Sequence, residues 1–207
     1  NTSEENIGRD LMPKFVKDTK VHAYHFQGYW ADVGTIQAYF EASMALLTET
    51  PALDISDPNW VIHTKSAEMP AAEIGTTATI SNSLICDGSR INGVVSGSII
   101  GPGVNIPAGA HVIDSIIFPD VVIEPGCRIE RSIIDRATHV LNDCTIGHKL
   151  NAVPNQSAPE LLNTGLTLIG AHNTIPHNTT VGSNVIIMPR TNISAWSGRT
   201  IVDGSSL

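Results

Sequence analysis

The chain has 207 residues, a formal net charge of −8 and few aromatic or charged side chains, while isoleucine, valine, glycine and asparagine abound. Helical bundles are rich in Leu, Glu and Lys, so this composition points instead to a β-rich body. The acidic balance, with no clustered Lys and Arg, excludes a nucleic-acid surface, and no apolar run reaches the length of a membrane span.

The first residues, NTSEENIGRD, lack the basic and apolar regions of a signal peptide, and the chain reads as a soluble cytoplasmic protein. Residues 7–49 have an ordinary α/β texture. GRDLMPKFVKD predicts a short helix interrupted near Pro13, and VHAYHFQGYWADV alternates like a strand or hairpin. TIQAYFEASMALLTE predicts a helix with Thr35 as N-cap and Ile36, Tyr39, Phe40, Met44 and Leu47 on one face. Such a segment closes no core of its own, so partners for its apolar faces are expected outside the chain. Asp32, just before the helix, suits either of two roles: satisfying loose backbone amides or serving as a ligand.

Residues 51–73, with Pro51, Pro58 and Pro70, read as a connector. From Ile74 onward Ile and Val recur about every six residues, at 74, 80, 85, 91, 100, 106, 112, 117, 123, 129, 134, 140 and 146. This spacing is too long for a strand and wrong for a helix. It predicts a solenoid in which each repeat supplies one short strand and a turn, three sides to a coil. Ile100, Ile117 and Ile134 are seventeen apart, as are Ile106, Ile123 and Val140, and Val112, Ile129 and Ile146, so each trio is expected to stack in a column. Val104, Ala110, Ile116, Val121, Cys127, Ile133, Thr138 and Cys144 are expected to fill the corners. Cys127 beneath Cys144 then reads as packing, since no His or third Cys joins the column. Residues 149–166 interrupt the repeat as a loop; Ile169, Ile175, Val181, Ile187 and Ile193 resume it, and TIVDGS supplies a last strand.

Four stretches taken in order, GRDLMPK, FQGYWADVGTIQAYFEASMALL, PALDISDPNWVIHT and ISNSLICDGSRINGVVSGSIIGPGVNIPAGAHVIDSIIF, resemble the carboxy-terminal half of the bacterial ADP-glucose pyrophosphorylases, the glucose-1-phosphate adenylyltransferases. Hexapeptide repeats are shared by many families. Tyr-Trp-x-Asp-Val-Gly-Thr followed by Asn-Trp-x-Ile-x-Thr is more specific. The resemblance implies a mainly β protein: a left-handed parallel β-helix (74–207, loop insertion 149–166) preceded by the tail end of an α/β nucleotidyltransferase domain (1–50) and the connector. It implies ATP plus glucose 1-phosphate giving ADP-glucose and pyrophosphate for glycogen synthesis, in a tetrameric parent whose β-helix serves oligomerisation and regulation. It further implies that Asp32 is one of two acidic residues holding magnesium and that Trp30 lies beside the sugar phosphate. A hard cation on carboxylate oxygens suits a reaction that gathers negative charge between phosphates.

Two departures stand out. Ala31 lies where the family commonly has Arg, and nothing here matches the family's Gly-rich nucleotide loop, first metal aspartate or sugar-phosphate lysine. The chain is therefore expected to be inactive alone and to form at least a dimer. Two other readings stay open: a noncatalytic regulatory paralogue, with Ala31 as its trace, or a hexapeptide acyltransferase using His111, His139, His148, His172 or His177 as general base.

Overall fold

The computed structural model describes residues 6–63, 68–147, 153–196 and 200–207, and the chain divides into two units, Asn1–Trp30 and Ala31–Leu207. In the first, a π-helical turn, Ile7–Leu11, runs into helix α1, Met12–Asp18. The wide turn has a local cause. Pro13 has no N–H to offer the carbonyl four residues back, and the amide of Met12 reaches past it to Ile7 O, five residues back. The interruption expected at Pro13 is thus a change of pitch, with the proline in the first turn of α1, where its missing donor costs little. VHAYHFQGYWADV forms no strand. Alternation alone does not make one, because a strand exists only through a ladder partner.

The second unit carries the strands β1 (Glu73–Ile74), β2 (Thr79–Ser81), β3 (Leu84–Ile85), β4 (Arg90–Ile91), β5 (Val94–Ser96), β6 (Ile99–Ile100) and β7 (Asn105–Ile106). They continue as β8 (His111–Ile113), β9 (Ile116–Ile117), β10 (Val122–Ile123), β11 (Arg128–Glu130), β12 (Ser132–Ile134), β13 (His139–Val140) and β14 (Thr145–Ile146). After the insertion come β15 (Thr167–Ile169), β16 (Thr174–Ile175), β17 (Thr180–Val181), β18 (Ile186–Ile187) and β19 (Thr200–Ile201). Every third strand pairs in parallel, giving three sheets ordered β1-β4-β7-β10-β13-β16, β2-β5-β8-β11-β14-β17-β19 and β3-β6-β9-β12-β15-β18. This is a three-sided β-solenoid, as the six-residue period predicts.

The columns stack as expected. Ile100, Ile117 and Ile134 are register partners, as are Val112, Ile129 and Ile146, all buried. β12 pairs directly with β15, Ile134 opposite Ile169, so the insertion leaves the register intact. Three details differ. Ile74 is 51% exposed, because β1 is the outermost strand of its sheet and has no coil before it. Val95, fully buried between Ile80 and Val112, is an inward residue the period missed, because the coil that ends on it, from Ile80, is shorter than the next, from Val95 to Val112. Ile193 opens a 3-10 turn, Ile193–Trp196, instead of a strand, and Trp196, 4% exposed, packs on the core cluster.

The corners also need one correction. Val104, Ala110, Val121, Cys127, Thr138 and Cys144 fill them, buried, each two residues before an inward Ile or Val. On the five-residue side that same offset falls on Ser98, Ser115 and Ser132, and Ile116 and Ile133 face outward instead. The serines form a ladder. Ser115 Oγ donates to Ile113 O (2.7 Å) and accepts from Ser132 N (3.1 Å), and Ser98 Oγ likewise accepts from Ser115 N (3.1 Å). Each hydroxyl satisfies an amide that the tight corner turns away from the sheets.

The outward positions of the third sheet are apolar throughout: Leu84, Ile99, Ile116, Ile133, Leu168 and Ile186 lie in one register row. Helix α2, Ile36–Met44, packs on the Ile116 to Ile186 part of this stripe. Its Phe40 is buried with Ile116, Leu162 and Leu166, and Ile36, Tyr39 and Met44 pack beside it, with the Tyr39 and Phe118 rings stacked at 6.5 Å. The expected face of the helix thus finds its partners within the chain, contrary to the expectation drawn from its sequence.

Cys127 and Cys144 are both buried and donate to Leu141 O and Pro176 O, each at 3.0 Å. The neighbouring Cys127 thiol, with burial, pushes Cys144 far above its ordinary value and keeps it protonated. At about pH 8 an aromatic disulfide reagent should therefore leave both untouched in the folded chain, reach half-buried Cys86 slowly, and react with all three after unfolding. Rapid native reaction of Cys144 would show that the column opens. Ile134→Ala should cost about 2–5 kcal/mol in denaturant titration, through lost burial and a residual cavity. The outward, exposed Thr180→Ala should stay within about 0.5 kcal/mol.

Candidate functional site

The turn at residues 31–35 is built from local hydrogen bonds. Thr35 has extended backbone, and its hydroxyl accepts from Ala38 N at 3.1 Å, which makes it the N-cap of α2 as the sequence predicts. Asp32 Oδ1 accepts from Gly34 N at 3.0 Å, closing an Asx turn ahead of the helix. It therefore satisfies one backbone amide, yet stays exposed, and Oδ2 has no hydrogen-bond partner among the described residues. Trp30 ends the first unit with 75% of its surface exposed, whereas Asp32 belongs to the second.

Where α2 begins, an open groove of about 640 Å³ runs along the third sheet. Tyr39, Phe118, Ile133, Leu168 and Ile186 make it apolar, and Val33 to Thr35 form one rim. Asp135 and Arg136 stand at the wall, with Arg136 N donating to Asp135 Oδ1 at 2.7 Å and the guanidinium largely exposed. Its size lies in the range of small-molecule sites. This groove is not among the features expected above, although the doubled apolar residues LI, II, II, II, LI and II in successive repeats signal an outer apolar row.

A single exposed carboxylate oxygen suits magnesium, which keeps several waters and takes one or two carboxylates along with phosphate oxygens. Among the described residues no three His, Cys, Asp or Glu side chains stand together as a complete metal cage. The chain thus offers one donor, Asp32, and a metal there needs others. Among the described residues the histidines form no cluster either. His139 and His111 lie in strands, with His139 Nε2 against Glu124 Oε1 at 2.9 Å, while His172 occupies a turn with φ 59° and His148 lies outside the described residues. No helix among the described residues is long and apolar enough to cross a membrane.

Comparison with known proteins gives two family matches, whose boundary at residue 49 differs from the structural division at Trp30. Residues 1–49 match the nucleotidyl transferase family, and residues 65–169, just over half the chain, match the GlmU-like, C-terminal hexapeptide family. The glucose-1-phosphate adenylyltransferase of Thermomicrobium roseum is 41% identical over 203 residues, 98% of this chain and 47% of that protein. Those of Acetivibrio thermocellus and Fervidobacterium nodosum are 36% and 35% identical, over 90% and 98% of this chain and 44% and 48% of their own lengths. The chain spans about half the length of the curated relatives it matches. From its repeat, its three stacked sheets and these matches, the chain belongs to the GlmU-like, C-terminal hexapeptide family and is similar to the glucose-1-phosphate adenylyltransferases.

Proposed function

We propose that this chain is the carboxy-terminal part of an enzyme that joins ATP and glucose 1-phosphate into ADP-glucose and pyrophosphate, the activating step of glycogen synthesis, in the cytoplasm where ATP is available. The observation that carries the reading is the 41% identity to an enzyme of that name across 98% of the chain, the Asp32 turn included. In this reading Asp32 is one of two acidic residues that hold magnesium, and Trp30 borders the sugar phosphate. A metal held there would offset the charge that gathers on the phosphates as the nucleotidyl group moves. The chain's own part is geometric: the Gly34 amide and the Thr35 cap fix the direction of the Asp32 carboxylate, and the exposed indole of Trp30 offers an apolar surface to a sugar ring.

Asp32→Asn in the complete enzyme should lower kcat by at least about a hundredfold, since the ligand charge acts where charge develops. The unfolding midpoint should hold, because Asn keeps the oxygen that accepts from Gly34. Pyrophosphate release at saturating magnesium measures the first and thermal unfolding the second. Unchanged turnover would return Asp32 to a purely structural role.

The same reading includes a homo-oligomer, tetrameric in the complete enzyme. Since α2 is already covered, the support comes from Phe15, Val16, Tyr24 and Phe26, exposed in the first unit, and from the outermost strands β1, β2 and β3 of the solenoid. Light scattering across a dilution series should give at least a dimer at micromolar concentration, and a monomer there would contradict it.

A further inference from the structure

The insertion between β14 and β15 faces two ways. Toward the last coil, buried Asn155 donates through Nδ2 to Asn184 O (2.9 Å) and Ser205 O (3.0 Å). Asn184, buried as well, accepts from Gly165 N (2.7 Å) through Oδ1 and donates to Val153 O (2.8 Å). This paired, satisfied amide network ties residues 153–165 to the solenoid.

Toward α2, Leu162 and Leu166 are fully buried with Phe40, and Thr164 Oγ1 donates to Gln37 Oε1 at 2.5 Å. Arg131 Nη2 completes the bridge by donating to Thr164 O at 3.0 Å. Arg131 is also an outlier, with φ 43°, at the corner where earlier coils place Asn82, Gly97 and Asp114. Gly, Asn and Asp take the left-handed region more readily than Arg does, so this backbone is costly for Arg, and the contact it makes there is the one with Thr164.

Helix α2 needs such help. It has nine residues, too few to persist without tertiary contacts, and one fully packed anchor, Phe40. It starts four residues after Asp32, so any movement of the helix spreads the positions of that carboxylate. We propose that residues 153–166 act as a clasp that holds α2 and the Asp32 turn against the solenoid, with Thr164 and Arg131 as its positioning residues. The importance of that position rests on the metal reading of Asp32 given above.

Amide hydrogen exchange of the 207-residue chain, without metal, tests the clasp. Thr164→Val removes the hydroxyl donor at constant shape, and Arg131→Gly removes the bridge while relieving the backbone. Both should speed exchange at residues 38–44 and at Gly34 by about fivefold or more, the worth of one hydrogen bond. The strand amides of Ile117 and Ile134 should be unchanged, and Thr164→Ser should restore protection. Unaltered exchange in α2 or at Gly34, or equal acceleration in the strands, would overturn the proposal. Because no metal enters the measurement, full turnover in the Asp32→Asn enzyme would remove the metal role alone and leave the clasp standing.

Discussion

The structure depends on one repeated contact: an Ile or Val lying over its counterpart in the previous coil, about 4.8 Å away along the ladder. β-branched side chains fill so narrow an interior well, since a single χ1 suits both the pleat and the column. Ile117 over Ile100 and Ile134 over Ile117 are the clearest cases. The main chain must then return to the same point whether the coil is short, as from Ile80 to Val95, or longer, as from Val95 to Val112. A column holds only if each coil returns to the same point, and seventeen residues in two longer sides and one shorter side meet that condition over most of the solenoid.

The shorter side has consequences beyond the interior. It leaves no room for an Ile at the corner, so serines stand there and bond one another's amides, while the next residue turns outward. Because strand neighbours point to opposite faces, an inward Ile followed or preceded by another Ile creates an apolar outer row on that sheet alone. The corresponding outward residues of the other sheets, such as Arg90, Asn105, Arg128 and Thr145, are mostly polar, with Val94 and Val122 as exceptions. Only the third sheet can therefore accept a helix, and α2 lies there because its own Phe40, Tyr39 and Ile36 need that row. The same packing brings the Asp32 turn beside an apolar groove with a guanidinium at its wall.

Periodicity exposed the solenoid at once, since few folds repeat Ile and Val every six residues. It failed where spacing changed, at Val95 and at Ile74, because a period describes the average coil and neither the short coils nor the coil that lacks a predecessor. It also misassigned Ile116 and Ile133, since counting from the preceding inward residue is blind to the missing residue of the short side. Asp32 and Trp30 are candidates through the motif that contains them. The groove and the Thr164–Gln37 contact were not legible, because they join residues far apart in sequence.

The sequence by itself determined the repeat, its columns, the capping of α2 by Thr35 and the inert packing of Cys127 against Cys144, because each follows from neighbours within a coil or from a fixed spacing. Only the tertiary structure decided where α2 docks, that the insertion is buried at Asn155 and Leu162, and that Arg131, left-handed as its corner is in earlier coils, bonds Thr164. These are contacts between segments whose separation carries no period. Their geometry is set by which sheet face is apolar, and that becomes definite once the short side of each coil has turned its second Ile outward.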